Sequence, residues 1–187
     1  MQKTREAAPK TKDVVDQLYA LGVKTMDDFE IAGKYYEEKR AGEEEGEITA
    51  MDIEALETCL GIVKNYVKKS DELFNGMTIE KRFQLKRAMD EVLDRAKKVC
   101  IKVLGSVSEE NGVDIAVLKK SKEFTQYELD MVQVAETEIA VRQSVLQMES
   151  ELQLAKSMIA MGGFLKGLGE GLGSGDKDAE PSSDSIR

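Results

Sequence analysis

Apolar residues recur every three to four positions along most of this 187-residue chain, the spacing that lines one face of a helix. The first run, Val14, Val15, Leu18 and Leu21, predicts a short helix over 11–21 with Gly22 as its stop. Thr25-Met-Asp-Asp28 then has the spacing of a capping box, with Asp in place of Glu, and opens a second helix with Phe29, Ala32 and Tyr36 on its inner face. That helix gives way to a solvated loop, AGEEEGE, over 41–47. Thr49-Ala-Met-Asp52 repeats the capping spacing and starts a third helix, to about Phe74, with Leu56, Cys59, Leu60, Val63, Tyr66 and Val67 inward. After a turn at Asn75-Gly76, a fourth helix runs from about Thr78 to Leu104. Its inward positions are Ile79, Phe83, Met89, Val92, Ala96, Val99, Cys100 and Val103, and 105–112 is the next connection.

The pattern changes after Val113. From there to Met161 it fits one long helix written in heptads, with a positions Val117, Phe124, Met131, Glu138, Val145, Leu152 and Ile159. The d positions are Lys120, Tyr127, Val134, Val141, Met148, Ala155 and Gly162, so that eleven of the fourteen are apolar. A further stripe follows at Leu118, Val132, Ile139 and Leu146. At 100° per residue these rows together span about 160°, more than one partner helix covers. Such a helix is on the order of 70 Å long, and two helices of about 25 residues cover roughly half of it. The rest of the stripe is therefore expected to meet another copy or another protein, through Phe124, Met131, Val134, Val141, Val145, Met148, Leu152 and Ile159. Glu138 at an a position is a candidate register-setting polar residue or a local opening of the seam.

Beyond Met161 the chain reads GGFLKGLGEGLGSG. Gly162-Gly163 is expected to end the helix, because glycine is a poor helix former. Phe164, Leu165, Leu168 and Leu172 nevertheless keep helical spacing, which a plain linker has no need of. They are read as a docking segment for a neighbouring subunit, or as a membrane contact made by residues 158–173. The organisation expected is thus a flexible arm over 1–10, a helical bundle over 11–106, the long coiled-coil-like helix over 113–161, and the Gly/Leu segment with a disordered acidic tail over 162–187.

Composition sharpens this picture. Charged residues make up 34% of the chain, the two prolines stand near its ends, and there is no Trp, which suits an all-α fold, a bundle of about four helices plus the long one. The formal net charge of −9 opposes non-specific nucleic-acid binding. A basic run, Lys81, Arg82, Lys86, Arg87, Arg95, Lys97 and Lys98, is the exception, but it lacks exposed aromatics that would stack bases. Acidic residues of the chain itself, among them Glu123, Glu128, Asp130, Glu136, Glu149 and Glu151, are its expected partners. Without any His, and with Cys59 and Cys100 far apart, metal and cofactor chemistry are not expected. No secretory signal or spanning segment is legible, so a cytoplasmic setting is the expectation.

One short resemblance points elsewhere. LYALGVKTMDDF, Leu18 to Phe29, resembles the helix–Gly–helix turn of helix-hairpin-helix DNA-binding modules, which implies backbone amides facing a phosphate. Lys24 stands where those modules carry a second glycine, and Asp27 and Asp28 would oppose the phosphate. No Gly-rich phosphate loop, nucleophile elbow or HExxH motif is present. The expected function is therefore that of a non-enzymatic structural or scaffold subunit. A peripheral membrane protein is the alternative, and a nucleic-acid module the weaker one.

Overall fold

The computed structural model describes residues 10–41, 48–105 and 112–173, and for 164–173 the backbone alone. The described chain is all-α: α1 (Thr11–Arg40), α2 (Ala50–Asn75), α3 (Ile79–Leu104), α4 (Ile115–Ser121) and α5 (Gln126–Gly173). The expected arm over 1–9, the acidic loop over 42–47 and the tail over 174–187 lie outside these residues.

α5 is the spine, touched by each of the other four helices. α1 runs parallel to it: Gly22 faces Thr137, and Asp16 lies near Tyr127. α2 returns antiparallel to α1, with Arg40 paired to Asp52 and the Tyr36 hydroxyl bonded to Thr58. It is antiparallel to α5 as well, through Glu57–Lys156, Lys64–Glu149 and Asp71–Arg142. α3 then continues in the same sense further down α5, where Arg95 meets Glu128. Gly76 takes a right-handed helical conformation, so the Asn75-Gly76 step does not fold α3 back onto α2. Ile79 and Phe83, expected inward, consequently stand about three-quarters exposed, and Val103 is exposed too.

Two apolar clusters follow from this stacking. The lower one gathers Val14, Val15 and Leu18 of α1, Leu85, Met89, Val92, Leu93, Ala96 and Cys100 of α3, Leu118 of α4, and Leu129 to Ala135 of α5. The upper one gathers Leu60, Val63 and Tyr66 of α2 around Val141 of α5. Each fully buried Leu, Val or Met contributes about 1.5–3 kcal/mol relative to exposure, and α5 supplies buried residues to both clusters.

Three helix boundaries differ from the sequence reading. α1 is continuous through Gly22, so the helix-hairpin-helix resemblance does not hold at Leu18–Phe29. The Thr25 hydroxyl donates back to the Leu21 carbonyl at 2.8 Å instead of capping a new helix. Gly22 serves packing: a Cβ there would stand 3.3 Å from Thr137 Cγ2. The expected helix over 113–161 is broken, because Lys122 turns left-handed (φ 57°) after α4 and a capping box restarts the helix as α5. In that box the Thr125 amide donates to Glu128 Oε2 at 2.9 Å and the Glu128 amide to Thr125 Oγ1. Lastly, α5 runs through Gly162-Gly163 to Gly173. The Thr49–Asp52 capping box, by contrast, forms as spaced in the sequence.

Gly22 and Gly61 should therefore respond oppositely to substitution. Gly22→Leu has no room against Thr137 and is expected to lower stability by about 1–3 kcal/mol. Gly61→Ala, with nothing within 4 Å of the added Cβ, is expected to raise it by about 0.5–1 kcal/mol. Urea unfolding of both variants followed by circular dichroism checks the pair.

Candidate assembly face

The residues expected to bind another chain are placed along α5 in an unexpected way. Met131, Val134 and Val141 are buried in this chain's own clusters, and Phe124, Val145, Met148 and Leu152 pack against those clusters. α2 and α3 succeed one another along α5 with α1 beside them, so together they cover more of this stripe than two side-by-side helices would. Ile159, at 38% exposed, is the point where that cover ends. The residues from Met131 to Leu152 share one side of α5, and what packs on that side is this chain's own helices.

A different row faces solvent. Leu146, Leu154, Met158 and Met161 are 71%, 62%, 51% and 65% exposed. At 100° per residue this row is centred roughly 150° around α5 from Val141, Val145, Met148, Leu152 and Ala155. The sequence reading placed Leu146 in a further stripe with Leu118, Val132 and Ile139, of which Leu118 and Val132 are buried and Ile139 and Leu146 exposed. It missed the continuation to Leu154, Met158 and Met161, although the signal was present. From Leu154 the steps to Met158, Met161, Leu165, Leu168 and Leu172 are four, three, four, three and four residues, a heptad seam in its own right. Of the expected docking residues Phe164, Leu165, Leu168 and Leu172, the three leucines continue a row that begins earlier and Phe164 falls beside it by register; their side chains lie outside the described ones. Lys156 points away from the row to Glu57, 2.6 Å distant.

Polar groups at the α2–α3 junction have structural partners. Glu138 accepts hydrogen bonds from Ser70 Oγ and from Arg142 Nε, and Arg142 also reaches Asp71 at 2.7 Å. Glu138 is thereby satisfied within the chain. The buried Tyr66 hydroxyl beside it makes no hydrogen bond of good geometry; burial, then the Glu138 charge, push its pKa well up. An adjoining cleft of about 460 Å³ is lined by Arg82, Lys86 and Arg142 but equally by Asp71, Asp90 and Glu138, so it has no net sign with which to select an ion.

The basic residues of α3 do not form one free face. Arg87 pairs with Glu91, and Arg95 with Glu128 while its guanidinium lies 4.9 Å over the Phe124 ring. Arg82 and Lys86 line the cleft, Lys97 lies near Glu136, and Lys81 and Lys98 stand on either side with Asp90 and Asp94 between them in sequence. Of the acidic partners expected for this run, Glu149 instead pairs with Lys64. Both cysteines are free thiols. Among the described residues, no helix is long and apolar enough to cross a membrane, and no acidic or thiol cluster is arranged to hold a metal.

Carboxylates at opposite environments give the fold a defined pH response. The Thr125 amide, then Arg95, hold Glu128 below its ordinary value of 4.5, and the Thr49 amide does the same for Asp52. Their stabilisation is present above the unfolded-state values and is lost as pH falls through the lower folded ones. Burial raises Glu136, against the Val113 amide that it accepts and the Lys97 charge. Its charged form therefore weakens the fold as pH rises past 4.5. Thermal melts from about pH 7 to about pH 3 check both signs. Glu136→Gln is expected to lessen the loss of stability as pH rises past 4.5, and Glu128→Gln to shrink the loss as pH falls below it.

No family model matches the chain, and neither does any curated protein or solved structure. Function is therefore to be read from the surfaces of this chain.

Proposed function

We propose that this chain is a non-enzymatic structural or scaffold subunit, working in a larger protein assembly through the solvent-facing side of α5. One observation carries the reading. A 48-residue helix that already buries one apolar side on its own bundle presents a second apolar row, Leu146 to Met161, to solvent. Exposed apolar surface of this kind marks interaction sites, and a row that keeps heptad spacing from Leu154 onward is shaped for another helix. The long α5, braced along one side by α1, α2 and α3, supplies a stiff support for that row. Two free thiols suit a reducing, cytoplasmic setting.

The membrane alternative draws on the same row. Against it, Lys166 is the single cation between Met158 and Gly173, with Glu170 opposing it, so attraction to anionic lipid is weak. Nucleic acid is a poorer fit still, since the α3 cations are divided among Glu91, Glu128 and a cleft of mixed charge.

Light scattering across a concentration series, on the full chain and on a version ending at Met161, tests the reading. The full chain is expected to exceed 20.8 kDa in a defined multiple and the shorter version to dissociate more readily. Flotation of the full chain with liposomes, lost on shortening, would instead favour the membrane. Val145→Asp and Leu152→Asp are unsuitable probes, because both positions pack in the chain's own upper cluster.

A further inference from the structure

We infer that the occupant of the exposed α5 row is a second copy of α5, paired antiparallel about Gly163; this rests on the assembly reading above. The row fits its own image. With the two-fold axis at Gly163, Leu154 stands opposite Leu172, Met158 opposite Leu168, and Met161 opposite Leu165, which is the alternation of a and d residues that antiparallel heptad seams require. Positions flanking the seam beyond the chain's own bundle carry Ser157, Gly162, Phe164, Gly169 and Gly171. None is charged, and four of the five are small, so two backbones can approach closely without electrostatic selection of a different partner. Lys156, Lys166 and Glu170 fall on the far side by helical register.

Glycine disfavours helix, yet α5 stays helical through Gly162-Gly163, where a Cβ would meet nothing within 4 Å. No helix of the described chain supports that stretch, whereas a second α5 would. Area agrees. A buried large apolar side chain hides roughly 60–120 Å² by the usual transfer scale. Six seam residues from each copy then give on the order of 1,000 Å², at the lower edge for a specific interface. The antiparallel sense also opposes the two helix dipoles and keeps two bodies of one acidic chain, each of net charge −9, at opposite ends. In the parallel sense they would lie side by side.

Sedimentation equilibrium and small-angle X-ray scattering on the full chain, with Met161→Glu and Leu154→Glu beside it, decide the matter. Both positions are exposed, so melting temperature should not move, which separates loss of pairing from loss of folding. A dimer with a maximum dimension well over 100 Å, weakened at least tenfold by either Glu, is the expected result; two α5 helices overlapping over 154–172 are about 110 Å end to end. A dimer no longer than about 80 Å would overturn the antiparallel pairing. An oligomer indifferent to both substitutions would sink the seam while leaving the assembly reading standing. A monomer at high concentration overturns the second copy outright. Should that monomer also float with liposomes, the assembly reading falls with it; should it ignore them, the row is left to a foreign helix.

Discussion

Burial against α5 is the constraint from which the other helices take their positions. α1 and α2 bury apolar sides on each other as well, but neither could close the upper cluster without Val141 and the residues that follow it on α5. The close approach of α1 depends on a single small residue, Gly22, facing Thr137. Because α2 and α3 are laid end to end along α5 and not folded face to face, one side of the spine is covered over most of its length. Beyond Glu138 the opposite side is bare, with Ile139 and Leu146 exposed, whereas lower on α5 Leu129, Val132 and Ala135 are buried on that side as well. The uncovered side is thus confined to the upper half of the spine.

Much of this was legible from residue spacing. The period of three and four in Leu60, Val63 and Tyr66, and in Met89, Val92, Ala96 and Cys100, located helix faces that the fold buries. Capping chemistry located the start of α2 through Thr49 and Asp52. Glycine misled, and for one reason each time. Its helix penalty is about 1 kcal/mol, a weak local preference that packing overrides at Gly22 and that the continuous α5 overrides at Gly162. The break at Lys122 was missed because apolar residues bridge it in heptad register. Thr125 and Glu128, four positions apart counted inclusively, were the stronger signal.

The candidate face was legible in part. One heptad frame was read along α5, with a further stripe at Leu118, Val132, Ile139 and Leu146 taken as widening the same face. A frame widened in that way does not reveal a second row beginning at Leu154. When a helix carries apolar residues on nearly opposite sides, the second row looks like noise within the first frame, or like a separate peptide where glycine begins. Leu154, Met158 and Met161 belong to the row that continues at Leu165, and dividing the chain at Gly162 hid that continuity. Which row the chain covers for itself depends on where α1, α2 and α3 are laid, and this is a matter of tertiary topology that helical periodicity alone does not encode.

Charge placement along α5 fits a division of labour between its two sides. Ion pairs gather where α5 meets its own bundle: Arg142 with Asp71, Glu149 with Lys64, Lys156 with Glu57. Each is half exposed and worth at most about 1 kcal/mol, so together they specify register more than they stabilise. A slip of α2 by one turn along α5 would separate all three at once. The bare row has no such markers from Leu154 onward, and its register has only side-chain shape to rely on. An interface of that kind tolerates exchange between like helices and is strengthened by concentration, whereas the intramolecular side is fixed once when the chain folds. The difference between a charged, registered side and an uncharged, apolar side is what separates a permanent contact from one made between molecules.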